Sequence, residues 1–317
     1  MVDAKYLYQG LCGLARAHLA NAMAGHLGAA LVAGYFIGEE HPNLDAEVFS
    51  GIERDLDRII AGEESLWFDQ EKAGIAIADL FAAFPEEAPA AAQVSSIATA
   101  LSANIDKTRQ AGHNVIFSSL ALRALQDHPE HATPSIINGI SRLIQKFDGQ
   151  TPGRGYYGKE RGWIEGQDVN LADDDNFPPY ENEQAMAETV IDELIRTASI
   201  RRKGYGGLFH IINHATALTE LSRYGYQHLA KQGLAAHHHH LCLYRSLPNL
   251  EEELGTLQKS EHDPRTPQHW QRTQSEQWSA WLSHRVKTFY GFFHLLTYIK
   301  QSDVRHEVED HFLYLMA

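Results

Sequence analysis

The chain reads as an all-α protein, and three observations carry that reading. Apolar residues recur at helical spacing through nearly every segment, while alternating runs of strand length are scarce. Pro42, Pro85, Pro89, Pro129, Pro134 and Pro248 fall between the periodic segments or in their first turns, where a missing N–H does least harm. Helices are expected near 10–38, 45–61, 66–84, 91–109, 113–127, 134–147, 183–198, 207–223, 226–246, 275–300 and 303–315.

Taken in order, the first segment ends in "GHLGAALVAGYFIGEEHP" at 25–42, apolar on all sides and so expected to be buried. "GHNVIFSSLALRALQDHP" at 112–129 repeats its outline: Gly-His, an apolar run, and an acid-His-Pro stop with the two histidines 15 positions apart in both. A helix with a Leu or Ile stripe follows each and ends at Gly62 and Gly149. "GGLFHIINH" at 206–214 and "YGFFHLLTYIK" at 290–300 share a Gly, aromatic, His opening. The expected architecture is a single domain over 1–317, a helical-hairpin array: an α-solenoid, or an α/α-toroid if the array closes, with histidine-bearing first turns gathered at one mouth. Residues 149–182, rich in Gly, Pro, aromatics and charge, interrupt the array as a lid or cavity-lining loop, or as a linker between two helical lobes.

Composition narrows the function. With 317 residues and 44% hydrophobic content the chain can bury one large core or two ordinary ones. The longest apolar run falls short of the roughly 18 residues of a membrane span, and "MVDAKYLYQG" lacks the apolar core of a signal peptide, so no membrane partner and a cytoplasmic setting are expected. Cys12 and Cys242 form no framework or C-x-x-C pair. A net charge of −14, with "RRK" at 201–203 the densest basic cluster, argues against nucleic acid. The excess is in histidine: 19 residues, compatible with metal, acid–base or proton-transfer work on a small-molecule substrate.

His210 and His214 stand four apart on one expected helix, so their nitrogens can reach one ion. The intervening Ile211, Ile212 and Asn213 omit the catalytic Glu of H-E-x-x-H, which excludes that metalloprotease motif. The structural alternative is a pair of rings bonded to backbone carbonyls or lining a polar seam. A divalent iron or zinc site needs further ligands, and His113, His26, His294 or one of the four histidines at 237–240, such as His239, are the candidates. At most two of those four can face one cavity, and the run is expected to be a solvated patch. "YYGKERGW" at 156–163 offers Tyr157 and Trp163 as substrate-binding aromatics or as anchors of the long loop. "LADDDNFPPYENE" at 171–183 reads as a solvated acidic loop, because Pro178 and Pro179 break any helix that would aim its acids at a magnesium ion. The His262–Asp263 pair sits in a Pro-bounded loop rather than on a metal-binding helix, and no P-loop, GxGxxG, GxSxG or kinase signature occurs.

"GLFHIINHATALTEL" at 207–221 resembles a segment of the questin oxidase-like family, and "GHLGAALVAGYF" and "GHNVIFSSLALRAL" are similar to other His-bearing helices of that family. The resemblance implies oxidation of polycyclic aromatic polyketides with a reduced nicotinamide cofactor as electron donor, and carries the site pair onto His210 and His214. The leading expectation is therefore a small-molecule enzyme with a His-lined cavity, an oxidoreductase on an apolar or aromatic substrate, with His210, His214 and His113 catalytic and His26 and His294 completing a metal site. A second is a carbohydrate-active toroid using Glu160, Glu165, Asp173 or Asp174 as paired carboxylates near Trp163 and Tyr157. A third is a non-catalytic helical scaffold that binds a protein on its concave face.

Overall fold

The computed structural model describes residues 1–171, 177–271 and 280–317. Among them the chain is all-α, as expected. In chain order the helices are α1 (Lys5–Ala20), α2 (Gly25–Glu40), α3 (Ala46–Ile60), α4 (Gln70–Ala73), α5 (Ile77–Leu80), α6 (Ser95–Ser102), α7 (His113–Asp127) and α8 (Pro134–Gln145). They continue with α9 (Glu183–Thr197), α10 (Gly207–Arg223), α11 (Gln227–Arg245), α12 (Glu251–Leu254), α13 (Pro267–Trp270), α14 (Trp281–Leu296) and α15 (Ser302–Phe312). No described helix is long and apolar enough to cross a membrane. The chain forms two compact units: residues 1–103, 116–148 and 262–290 make the first, and residues 104–115, 149–261 and 291–317 the second.

In the first unit α1 packs against α2 and α8. Every residue of α2 from Gly25 to Gly38 is buried, as a helix without a polar face must be. The α1 and α2 backbones touch, because a Cβ on Gly28 would stand 2.5 Å from Leu14 N and 2.6 Å from the Gly10 carbonyl. By contrast α3 and α8 bury single stripes, Val48, Ile52, Leu56 and Ile59 on one and Ile136, Ile140, Leu143 and Ile144 on the other. Asp55 on α3 pairs with Arg285 on α14 at side-chain exposures of 2% and 1%, an ion pair inside the core.

Three helical expectations are corrected. The segment 10–38 is two helices, because the Asn21 side chain accepts from Met23 N and Ala24 N and so caps a new start. The segment 66–84 holds only α4 and α5: Gly74, left-handed at φ 68°, closes α4 by donating to the Gln70 carbonyl. The segment 91–109 shortens to α6. The start of the helix expected at 275–300 lies outside the described residues. The two His-Pro stops are one local device, His41 at φ −125° and ψ 56° and His128 at φ −128° and ψ 68°, each driven off helical geometry by the proline behind it.

In the second unit α10 packs on α9 and α11, and α15 on α9. Within 149–182 the chain forms a hairpin, β1 (Arg154–Tyr156) antiparallel to β2 (Trp163–Glu165). The hairpin is fastened to the residues before α10, through Tyr156 N to the Lys203 carbonyl at 2.8 Å and Tyr205 N to the Arg154 carbonyl at 3.0 Å.

Candidate functional site

Two strained turns of the second unit place its histidines. Before α7, Gln110, Ala111 and Gly112 are left-handed in succession, at φ 43°, 57° and 83°. A side chain in that region costs about 1–2 kcal/mol, and the turn persists because Gln110 N and Ala111 N donate to the carbonyls of Thr151 and Pro152 at 2.8 and 2.9 Å. Before α10, Tyr205 at φ 48° lies among Gly204, Gly206 and Gly207, all at positive φ. At two of these places the glycine stands against a histidine ring. A Cβ on Gly112 would stand 2.5 Å from His214 Nδ1, and one on Gly206 would stand 1.7 Å from His210 Nδ1. Strain that neighbouring bonds hold in place is a mark of functional sites.

Between these turns five imidazoles are buried: His113, His210, His214, His237 and His240, none more than 5% exposed. His113 and His210 meet edge to face with centroids 4.4 Å apart. His214 lies 5.0 Å from His237 and 5.6 Å from His240 by centroids. Backbone carbonyls set the tautomers, since a carbonyl can only accept. His240 Nε2 donates to the Tyr205 carbonyl at 2.8 Å, and His237 Nε2 to the Ile211 carbonyl at 3.0 Å. His237 Nδ1 then accepts from the Tyr180 hydroxyl at 3.2 Å. His113 Nδ1 donates to the carbonyl of Gln110, in the strained turn.

The consequence falls on His214. A neutral His240 that donates from Nε2 has an acceptor at Nδ1, and His214 Nδ1 lies 3.3 Å from it. His214 therefore donates from Nδ1 and keeps its lone pair on Nε2, which is buried and has no hydrogen-bond partner among the described residues. Burial, then the neighbouring His237, His240 and His113, drive the His214 pKa well below the ordinary histidine range. Burial lowers His237 to about 3 and His240 to about 4, against the opposing pull of their carbonyl bonds. All three rings are neutral at physiological pH.

The structure sorts the residues expected from sequence. His210, His214 and His113 come together. His294 belongs to the same unit and bonds Thr219 Oγ1 at 3.0 Å. His26 is in the core of the first unit, stacked on Trp67 at 3.8 Å, with His284 at 4.9 Å and the Lys287 amine on its Nδ1. Burial lowers the Lys287 pKa to about 7, with Glu64 opposing. Tyr157 is buried and bonds Ser246 Oγ at 2.6 Å. Trp163 is 45% exposed, with Arg154 and Lys203 over its ring at 4.8 and 5.6 Å. Glu165 accepts from Thr151 Oγ1 at 3.2 Å, while Asp173 and Asp174 lie outside the described residues.

The solvated patch expected at 237–240 is corrected, because His237 and His240 are fully buried. They share a face of α11 with Leu229, Gly233, Leu241 and Tyr244, and that stripe at intervals of three and four was the signal that could have found them. His239, named from sequence, points elsewhere and bonds Thr108 Oγ1 at 2.9 Å. Among the described residues, no three His, Cys, Asp or Glu side chains of this unit alone bring ligand atoms within 4.8 Å of one another.

Compared with protein-family models, with curated proteins and with solved structures, the chain matches none.

Proposed function

We propose that the chain is an enzyme acting on a small, apolar or aromatic molecule, with His214 Nε2 as the proton acceptor. The observation that carries this reading is the relay from the Tyr205 carbonyl through His240 to His214, which ends in a buried lone pair with no donor among the described residues. Leaving such an atom unpaired costs about 1–3 kcal/mol, a cost that a purely structural ring avoids by turning to a partner. In the proposed step a substrate C–H or O–H proton passes to Nε2 and its electron pair stays on the substrate, whose negative charge beside the ring offsets the burial that lowers the His214 pKa. His240 holds the His214 ring and shares the charge that develops, while His113 and His210 belong to the same buried cluster. Oxidation by dioxygen, which would take electrons from both the substrate and a reduced nicotinamide, is the version of this reading that the sequence resemblance supports.

A metal is the second reading, favoured by one distance. Two ligands at roughly 2.0–2.1 Å on a tetrahedral zinc stand about 3.3 Å apart, which is the Nδ1 to Nδ1 separation of His214 and His240. His240 also bonds the Tyr205 carbonyl through its other nitrogen, the second tie that metal-bound histidines carry.

Deuterium exchange tests the first reading. Aryl ketones and phenols incubated with the protein in D2O are expected to gain deuterium at acidic C–H positions, and His214→Ala to abolish the gain. No exchange with any of them, or exchange undiminished in a folded variant, would refute it. Elemental analysis of untagged protein decides the metal: a stoichiometric ion lost in both His214→Ala and His240→Ala establishes it.

A further inference from the structure

A cleft of about 640 Å³ in the second unit is not used by this chemistry. Its size is that of small-molecule sites, roughly 300–1,000 Å³. Pro152, Ala235 and Ala236 give it an apolar wall, and Lys107, Arg109 and Asp106 supply its fixed charges. The sum is one net positive charge, in a chain whose total is −14.

Arg109 is the informative residue. Its Nη1 donates to the Gln150 carbonyl at 2.7 Å, which fixes the guanidinium plane. Its Nε is buried and has no partner among the described residues. Nε is out of a ligand's reach, so a carboxylate in the cleft would meet this cation through the N–H groups of its Nη nitrogens. His239 adds a second polar point. Thr108 gives its own proton to the Ala236 carbonyl at 2.7 Å, so it accepts from His239 Nδ1 at 2.9 Å, and the neutral ring keeps Nε2 as an acceptor for a ligand hydroxyl.

We propose that the cleft binds a small organic carboxylate, paired with Arg109 and with its apolar body against Pro152, Ala235 and Ala236. One net positive charge matches a monoanion better than a dianionic phosphate. The site also adjoins the imidazole cluster through the chain: Arg109 leads into the strained turn at Gln110–Gly112, and Pro152 holds that turn by accepting from Ala111 N. Binding in the cleft is independent of whether His214 accepts protons, so the two readings fail separately.

Calorimetric titration of the full chain with 2-naphthoate, 2-naphthalenemethanol and 2-naphthyl phosphate tests the proposal. Naphthoate is expected to saturate one site, with the alcohol and the phosphate each weaker by about 10-fold or more. Arg109→Gln should weaken naphthoate by a similar factor. Ala235→Trp, at an exposed position, should fill the cleft and abolish binding without disturbing the fold. No saturation at millimolar naphthoate, equal binding of the alcohol, tighter binding of the phosphate, or undiminished binding in folded Ala235→Trp would each overturn it.

Discussion

His240 and His214 face each other through their Nδ1 atoms at 3.3 Å, and the Tyr205 carbonyl on the far side of His240 decides which of the two donates. A single backbone oxygen thus fixes the protonation pattern of two buried rings, and it leaves the His214 lone pair on Nε2, buried and without a hydrogen-bond partner among the described residues.

Removing either ring should therefore have unequal effects. His214→Ala orphans only His240 Nδ1 and is expected to cost about 1–3 kcal/mol. His240→Ala orphans both the Tyr205 carbonyl and the His214 donor, so it should cost more. Urea unfolding of the two variants measures the order, and a more stable His240→Ala than His214→Ala would contradict the relay.

Acid should destabilise the chain early. His237 and His240 titrate at about 3 and about 4 in the folded protein but near 6.5 when unfolded, so between those limits the unfolded state binds more protons. The stability contribution is complete above pH 6.5 and is lost as pH falls toward 4, by about 1.4 kcal/mol per pH unit per histidine. Urea midpoints from pH 7.5 to 4.5 check this. A flat profile to pH 5 would show that the rings are already hydrated.

Glycine substitutions separate backbone strain from crowding. Gly74→Ala meets no atom within 4 Å and is left with the left-handed cost alone, about 1–2 kcal/mol. Gly112→Ala and Gly206→Ala carry the same strain and also drive a methyl into His214 and His210, so both should lower the thermal midpoint further. Equal losses at all three positions would mean that the rings move aside freely.

In the first unit, Asp55→Ala should cost about 3–5 kcal/mol, because it leaves the Arg285 charge buried beside a void. The double variant Asp55→Leu, Arg285→Met should recover much of that loss, since two well-packed apolar chains replace two desolvated charges. A double-mutant cycle followed by chemical denaturation reads the coupling directly.

Helical period and end signals lie within a few residues of each other, so they were legible in the chain: the all-apolar α2, the stripes of α3 and α8, and the stops at His41 and His128. The pairing of His210 with His214 on one helix is equally local. What only the tertiary structure decided was which rings meet and which nitrogen each presents. His237 and His240 join His214 because α11 packs on α10. Gly112 stands against His214 because carbonyls of Thr151 and Pro152, some forty residues away, hold its turn in the left-handed region. Hydrogen-bond complementarity across such separations has no period in the sequence. It arises from the close approach of segments that burial of apolar faces brings together, and a backbone carbonyl that no side-chain pattern announces then sets the chemistry of the ring beside it.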